Sequence, residues 1–277
     1  MSDDALETRA RFEKDVLASA PRLTLEDRFK FGCHPGVSCF GDCCGDVSIV
    51  LTPYDVYRLK KRLGMTSTEF IDQHTLLPFA KEQKIPAPLL KMGADEKKKC
   101  PFFSSESGCT VYEDRPWACR MYPLGYAAPA EGEVGAKAFW FLLEEEGCAG
   151  FKEPMELSVA DWIEGQGIEE YDEWGEFYRR LAVDRLARSG RELDPKSMHM
   201  FFLATYDIDG FRRFVFESTF LTRFEVPAEE VERIRTDDEA LMRFGSRWLS
   251  FSLFGEPTMK VKSPPNIKAT TVPEREQ

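Results

Sequence analysis

All eight cysteines of this 277-residue chain lie between positions 33 and 148, and four of them fall in the twelve residues CHPGVSCFGDCC (33–44). No other feature limits the fold as strongly. Twelve residues cannot bury a core of their own, so the group Cys33, Cys39, Cys43 and Cys44 must be completed from elsewhere. The remaining thiols are Cys100, Cys109, Cys119 and Cys148, giving C-x5-C-x3-C-C, then C-x8-C-x9-C, then a last cysteine.

What the thiols do depends on the compartment. The N-terminal MSDDALETRARFEKDVL is charged and has no apolar leader region, and no run approaches the 18 to 20 apolar residues of a membrane span. The expectation is a cytoplasmic protein, where disulfides are disfavoured and clustered thiols point to metal or redox chemistry. The net charge of −11 lacks the basic footprint that grips phosphate backbones, so no nucleic acid is expected as partner. Nor is there a basic amphipathic helix for a membrane surface. With 43% hydrophobic residues and 22 phenylalanines, the chain has enough apolar material for a core without help from metal.

Thiolates are soft ligands that suit zinc, iron–sulfur clusters or copper(I). Zinc sites and cubane clusters each take four, so eight make two complete sites, or one site plus spare thiols. The adjacent Cys43 and Cys44 are the sharpest constraint. In extended chain their side chains point to opposite sides and each serves a different site. In a tight turn they come together and can bridge a two-metal centre. Gly41 and Gly45 flank the pair and permit either. The negative charge of such a centre calls for nearby donors, for which backbone N–H groups of the Gly-rich loop and Arg115 or Arg120 are candidates. The spacing matches neither the zinc-ribbon, ferredoxin nor thioredoxin patterns.

Along the chain, 1–30 reads as a charged lead-in with a helix over 5–18, and VSIVL (47–51) as a short strand. Thr52, Pro53 and Asp55 form a helix start with a capping box, Val56, Leu59 and Leu63 share a face, and Gly64 ends the helix. A second helix starts near Thr66 and buries Phe70 and Ile71. Residues 75–99 read as a loop. PFF and CTVY flank SSESG as a hairpin, and Asp114 and Pro116 mark a helical turn carrying Cys119. A second hairpin over 120–143 would return Cys148 to the neighbourhood of Cys119. Beyond 150 the apolar pattern turns helical, over 158–165, 169–188, 196–222 with a break near Asp207–Gly210, and 227–253. The tail from 262 is polar and Pro-rich.

CFGDCC, VLTPYDVYRLKKRLGM, CPFF and the string G-C-x-x-Y-x-x-R-P-x-x-C-R-x-Y-P (108–123) resemble the YkgJ-type cysteine-cluster family, over roughly 33–150. The resemblance implies zinc or iron chelation by eight cysteines, and carries no assigned reaction. The opening spacing is wider than the C-x2-C of that family, which bears on Cys33 and Cys39.

Other candidates carry less. His34 adjoins Cys33 but a full set of cysteines makes it unnecessary as a ligand, and His74 and His199 sit in helical contexts. No cysteine stands apart from the cluster to act as a nucleophile. The phenylalanines 201, 202, 211, 214, 216 and 220 read as core. There is no GxGxxG, P-loop or HExxH.

The reading is an α+β protein in which a small cysteine-rich, metal-organised module of short hairpins and helices packs on a C-terminal helical bundle. Its divisions are a lead-in 1–30, a metal-binding domain 31–150, a helical domain 151–261 and a disordered tail 262–277. The function is metal binding through Cys33, Cys39, Cys43, Cys44, Cys100, Cys109, Cys119 and Cys148, with zinc or iron, including an iron–sulfur cluster, as cofactor and the metal ion as partner. The alternatives are an iron–sulfur redox or protein-modifying enzyme and a metal-handling or adaptor protein with structural zinc. Whether the chain is an enzyme stays open.

Overall fold

The structure, a computed structural model, describes residues 20–77, 87–128, 138–181 and 193–262. The expected helix over 5–18 lies outside them, as does the tail beyond 262. The fold is α+β, built of helices and of short antiparallel strand pairs. Its two compact units are Met1–Asp207 and Ile208–Gln277. No helix among the described residues is long and apolar enough to cross a membrane.

In the first unit, β1 (Arg28–Lys30) buries Phe29 and pairs much later in the chain with 156–158. The stretch 47–51 forms a single bridge, Val50 to Leu89, rather than a strand. Its N–H and C=O groups reach out one at a time, Leu51 N–H to Pro88 O (2.9 Å) and Leu90 N–H to Ile49 O (2.9 Å). Then comes α1 (Pro53–Leu63). Its capping box is complete: Asp55 N–H donates to Thr52 Oγ1 (3.1 Å) and Thr52 N–H to Asp55 Oδ2 (2.7 Å), with Pro53 in the first turn and Gly64 at the end. Thr66 caps α2 (Ser67–His74) in the same way, and Phe70 is fully buried. The supposed loop 75–99 holds an antiparallel pair, β2 (Thr75–Leu76) with β3 (Leu89–Leu90), because Leu90 buries while its neighbours pair.

The strands of both expected hairpins pair, the turn of the second lying outside the described residues. β4 (Phe103–Ser104) pairs with β5 (Gly108–Cys109) around SSESG. The short α3 (Trp117–Met121) starts after Pro116. β6 (Leu124–Ala127) pairs with β7 (Phe139–Leu142), Leu124 opposite Leu142. β8 (Glu156–Ser158) closes on β1 and runs into α4 (Val159–Gly165), capped by Ser158, and α5 (Ile168–Tyr178). Phe29, Phe31, Met121, Leu124, Val159, Trp162 and Ile168 make one buried cluster, so the β1–β8 pair, α3, the root of the second hairpin and α4 share a core. α1 packs on α5 through Tyr54, which stacks on Trp174 at 5.4 Å and meets Tyr171 edge-on at 5.0 Å. α6 (Pro195–Thr205), started by the Asp194 cap, ends this unit.

The second unit is helical: α7 (Ile208–Glu217), α8 (Phe220–Arg223), α9 (Ala228–Thr236) and α10 (Asp238–Phe254), with β9 (Phe224–Glu225) paired to β10 (Lys260–Val261). The break expected near 207–210 falls at Tyr206–Asp207. The single helix expected over 227–253 is two. Asp237 leaves helical geometry (φ −99°, ψ 112°) and its carboxylate accepts the Ala240 N–H at 3.0 Å, so it starts a new helix instead of continuing the old one. Of the phenylalanines read as core, Phe201, Phe211 and Phe220 are buried, the last two against Trp248 and Phe244, while Phe202, Phe214 and Phe216 are half-buried.

Candidate metal centre

The paired cysteines sit in a tight turn. Asp42–Cys44 is one turn of 3-10 helix, entered through Gly41 in the left-handed region (φ 80°). Only glycine suits this position. The backbone is strained for any residue with a Cβ, and a Cβ there would lie 2.0 Å from the Phe103 ring. The extended alternative for Cys43–Cys44 therefore falls away. The two thiols are hydrogen-bonded to each other, Cys43 donating, which is the largest effect on both: it drives the Cys43 pKa up and holds Cys44 below the usual thiol value. Lys99 clamps the turn, its Nζ donating to Gly41 O at 2.5 Å while lying 5.4 Å from the Phe103 ring centre.

From this turn the other cysteines arrive in two directions. On one side, Gly45 bridges Lys99, and Cys100 N–H donates to Cys44 O at 2.8 Å. This sets Cys100 beside Cys44, with Cys109 following because β5 is paired to Phe103. Cys119 is delivered by α3, whose first N–H, from Trp117, donates to Asp55 Oδ1 at 2.8 Å. Asp55 thus caps two helices at once. It is fully buried, and burial raises its pKa to about 6 against the pull of the Thr52 and Trp117 N–H groups. Cys44, Cys100, Cys109 and Cys119 are neighbours by charge: Cys119 and Cys100 act on Cys44, as does Cys33 from the other side, and Cys100 and Cys109 on Cys119.

On the other side stand Cys33, Cys39 and Cys148. Gly32 N–H donates to Gly150 O at 3.0 Å, bringing the chain after Cys148 back against the chain before Cys33. Ala149 N–H donates to Cys39 Sγ at 3.2 Å. Burial pushes the Cys33 thiol up to about 11, with Cys43, Cys39 and Cys148 adding to it. The second hairpin therefore does return Cys148 to the cluster. It lands beside Cys33, Cys39 and the Tyr122 hydroxyl, while the main neighbours of Cys119 are Cys100, Asp55 and Cys109.

The surroundings suit thiolate. Backbone N–H groups point at three sulfurs besides holding the loops: Ala149 at Cys39, Phe102 and Phe103 at Cys100, and Val111 at Cys109. Arg115, buried over the Tyr112 ring at 3.7 Å and hydrogen-bonded to Tyr112 O and Gln166 Oε1, lies by Cys109 and Cys119 and favours their charged forms. Arg120 instead spends its donors on the carbonyls of Arg115, Glu113 and Gln166. Cys119 is informative in another way. It is exposed, yet desolvation by its neighbours, with Cys100, Asp55 and Cys109 adding to it, pushes its thiol up to about 12. His34 turns away to Glu153 (3.2 Å) and to the Gly36 N–H.

All eight cysteines are free. Among the described residues, no three or more His, Cys, Asp or Glu side chains converge as they would have to around an ion. The thiols are near enough to act on one another's charge. By chemistry the donor set fits: soft sulfur, N–H groups aimed at it, and mutual repulsion that a cation would relieve. Three participants escaped the sequence reading: Asp55 as a joint between helices, Ala149 as a donor to sulfur, and Tyr122 beside Cys148. Asp55 and Tyr122 stand in the motifs LTPYD and CRMYP, which was the available signal; for Ala149 there was none.

The chain matches the model of the CxxCxxCC family, described as a putative zinc- or iron-chelating domain, over residues 32–149. The matched segment is similar to that domain. It covers less than half of the 277 residues and contains every cysteine of the chain, and it ends one residue past Cys148. No curated protein and no solved structure matches the chain.

Proposed function

We propose that the CxxCxxCC domain, taken as residues 31–150, binds zinc or iron through all eight of its cysteines, in one continuous two-lobed centre. Cys33, Cys39, Cys43 and Cys148 would hold one lobe, and Cys44, Cys100, Cys109 and Cys119 the other. The observation that carries this is the Cys43–Cys44 turn, whose two thiols are hydrogen-bonded to each other and whose neighbours on either side are the remaining six thiols. The bound ion would tie loops far apart in sequence into one unit, so that metal binding and local folding are linked. Eight unpaired thiols fit a reducing compartment such as the cytoplasm, and the acidic charge argues against a nucleic-acid partner.

The test begins with protein purified without air. Its visible spectrum and its content of zinc, iron and acid-labile sulfide per chain are measured. Zinc alone near two per chain supports closed thiolate zinc sites; iron with equal sulfide supports a cluster. Metal-free protein that takes up neither would refute the proposal. Cys43→Ser and Cys44→Ser then test the joined lobes: each should lower occupancy of both metals. A variant that loses one metal cleanly and keeps the other would show that the sites are independent.

A further inference from the structure

The helix that carries Cys119, α3, is five residues long. A helix so short closes too few backbone bonds to hold itself, so its ties to other elements decide where it stands. Several of those ties come from beyond residue 149, outside the segment that matches the CxxCxxCC family. From α4, the Trp162 indole N–H donates to Met121 O at 3.3 Å. From α5, the Asp172 carboxylate accepts the Trp117 indole N–H at 2.7 Å. Between these two helices stands Gln166, and both arginines of the R-P-x-x-C-R string (115–120) end on it. Arg115 Nη2 donates to its side-chain Oε1, and Arg120 Nη1 donates to its backbone O at 2.6 Å. Both arginines are buried. Arg120 also reaches back, through Nε to Arg115 O at 3.1 Å and through Nη2 to Glu113 O, so it ties the turn ahead of α3 to α3 itself.

Gln166 is well placed to receive both. It ends α4, where the last carbonyls have no partner within the helix. Gly167 follows in the left-handed region (φ 61°) and turns the chain into α5. Gln166 N–H donates to Trp162 O at 2.9 Å, which fixes it to the same residue that holds Met121. We propose that Gln166 is a positioning residue for Cys119, and that α4 and α5 complete the metal-binding unit although they lie outside the matched segment. The inference rests on the metal-binding reading above and extends the unit that carries it. Without the Oε1 acceptor a buried guanidinium loses a partner. The start of α3 is then free to shift, and the Cys119 thiol shifts with it.

The test compares Gln166→Met, which removes the acceptor and keeps the reach of the side chain, with Gln166→Glu, which keeps an oxygen there. Both are made in the full chain. Backbone hydrogen exchange is read first, on metal-free protein. The Arg120 and Tyr122 N–H groups, bonded to Pro116 O (3.0 Å) and Ala118 O (3.2 Å), report on α3, and the amides of α2 report on the rest of the unit. In Gln166→Met the α3 amides should exchange about tenfold faster while those of α2 keep their wild-type rates. Each protein is then loaded anaerobically with cobalt(II) as probe, against a chromogenic chelator. Gln166→Met should bind about tenfold more weakly, as when an outer partner of a metal ligand is lost. Gln166→Glu should match the wild type in both measurements. The inference is overturned if α3 keeps its wild-type rates in Gln166→Met, if α2 loosens equally, if cobalt affinity is unchanged, or if Gln166→Glu loses as much as Gln166→Met. Wild-type protein that takes up no cobalt would overturn the metal reading, and with it Cys119 as a ligand; the exchange rates would then decide by themselves whether Gln166 holds α3.

Discussion

Arg58→Met removes a guanidinium that joins three parts of the cysteine-bearing unit while leaving an apolar stem of similar reach. In α1, Arg58 donates from Nε to Asp114 Oδ1 at 2.9 Å and from Nη1 to Glu170 Oε2 at 3.2 Å and Tyr54 Oη at 3.3 Å. Its Nη2 lies 2.8 Å from Asp114 Oδ1, and its guanidinium carbon is 5.7 Å from the rings of Tyr54 and Tyr171. The Arg58 side chain is 22% exposed and that of Asp114 only 16%, so this pair is largely shielded from water, whereas Glu170, at 57%, counts for little. A charge-assisted bond to a half-buried carboxylate is worth about 1.5–3 kcal/mol, and two aromatic contacts of this kind add about 0.5–1 kcal/mol together. Discounted for the residual exposure, the substitution should cost about 2–3 kcal/mol in urea unfolding. Repeated with Asp114→Asn and with the double variant, the cycle should return a coupling of about 1–2 kcal/mol. Because the pair is sheltered, half-molar salt should leave most of that coupling in place. A coupling below about 0.5 kcal/mol, the range of exposed surface pairs, would refute the claim that this ion pair holds the 112–114 turn, and hence the approach to Cys119, against α1.

Other substitutions test other joints. The folded pKa of Asp55, raised by burial from 3.8 to about 6, means that the native state holds a proton the unfolded chain has lost. Its contribution is therefore present at low pH and is lost as pH rises between about 4 and 6. The stability of the wild type relative to Asp55→Asn should fall by up to about 3 kcal/mol across that window and then level off. A difference that stayed flat or grew with pH would contradict it. Gly41→Ala should break the turn that presents Cys43 and Cys44, because φ of 80° costs a Cβ-bearing residue about 1–2 kcal/mol and the Phe103 ring must also move. Metal content per chain should drop with it, and full occupancy would speak against the turn's role. Chelation should open 31–150 to protease before the helices of 208–254; equal protection of the first segment with and without metal would count against the linkage of binding to folding.

Much of the local structure was legible because it is decided within four residues. The Thr52 capping box, the helix start at Thr66, the glycine at the end of α1 and the turn between β4 and β5 depend on groups that reach only their own neighbours. The errors have the same origin. Asp237 lies inside an apolar period that reads as one helix, and only its competing cap, bonded to Ala240, shows the break. Residues 47–51 carry strand-forming side chains, but a strand needs a partner along its length, and the partner supplied is the single bridge at Leu89.

The sequence by itself determined that this chain concentrates eight soft donors in one segment, and that such a segment has metal chemistry as its natural use. That follows from side-chain identity and count, which need no coordinates. How the thiols are grouped was decided only by the tertiary structure. The neighbours of Cys44 are set by the Gly45–Lys99 bridge, those of Cys119 by the Asp55 carboxylate under the Trp117 N–H, and those of Cys33 and Cys39 by the return of the chain at Gly150. Each of these joints links residues that are tens to more than a hundred positions apart. Spacing along a chain carries no record of such a bond, because a long loop can close at nearly the same entropic cost onto any of several partners.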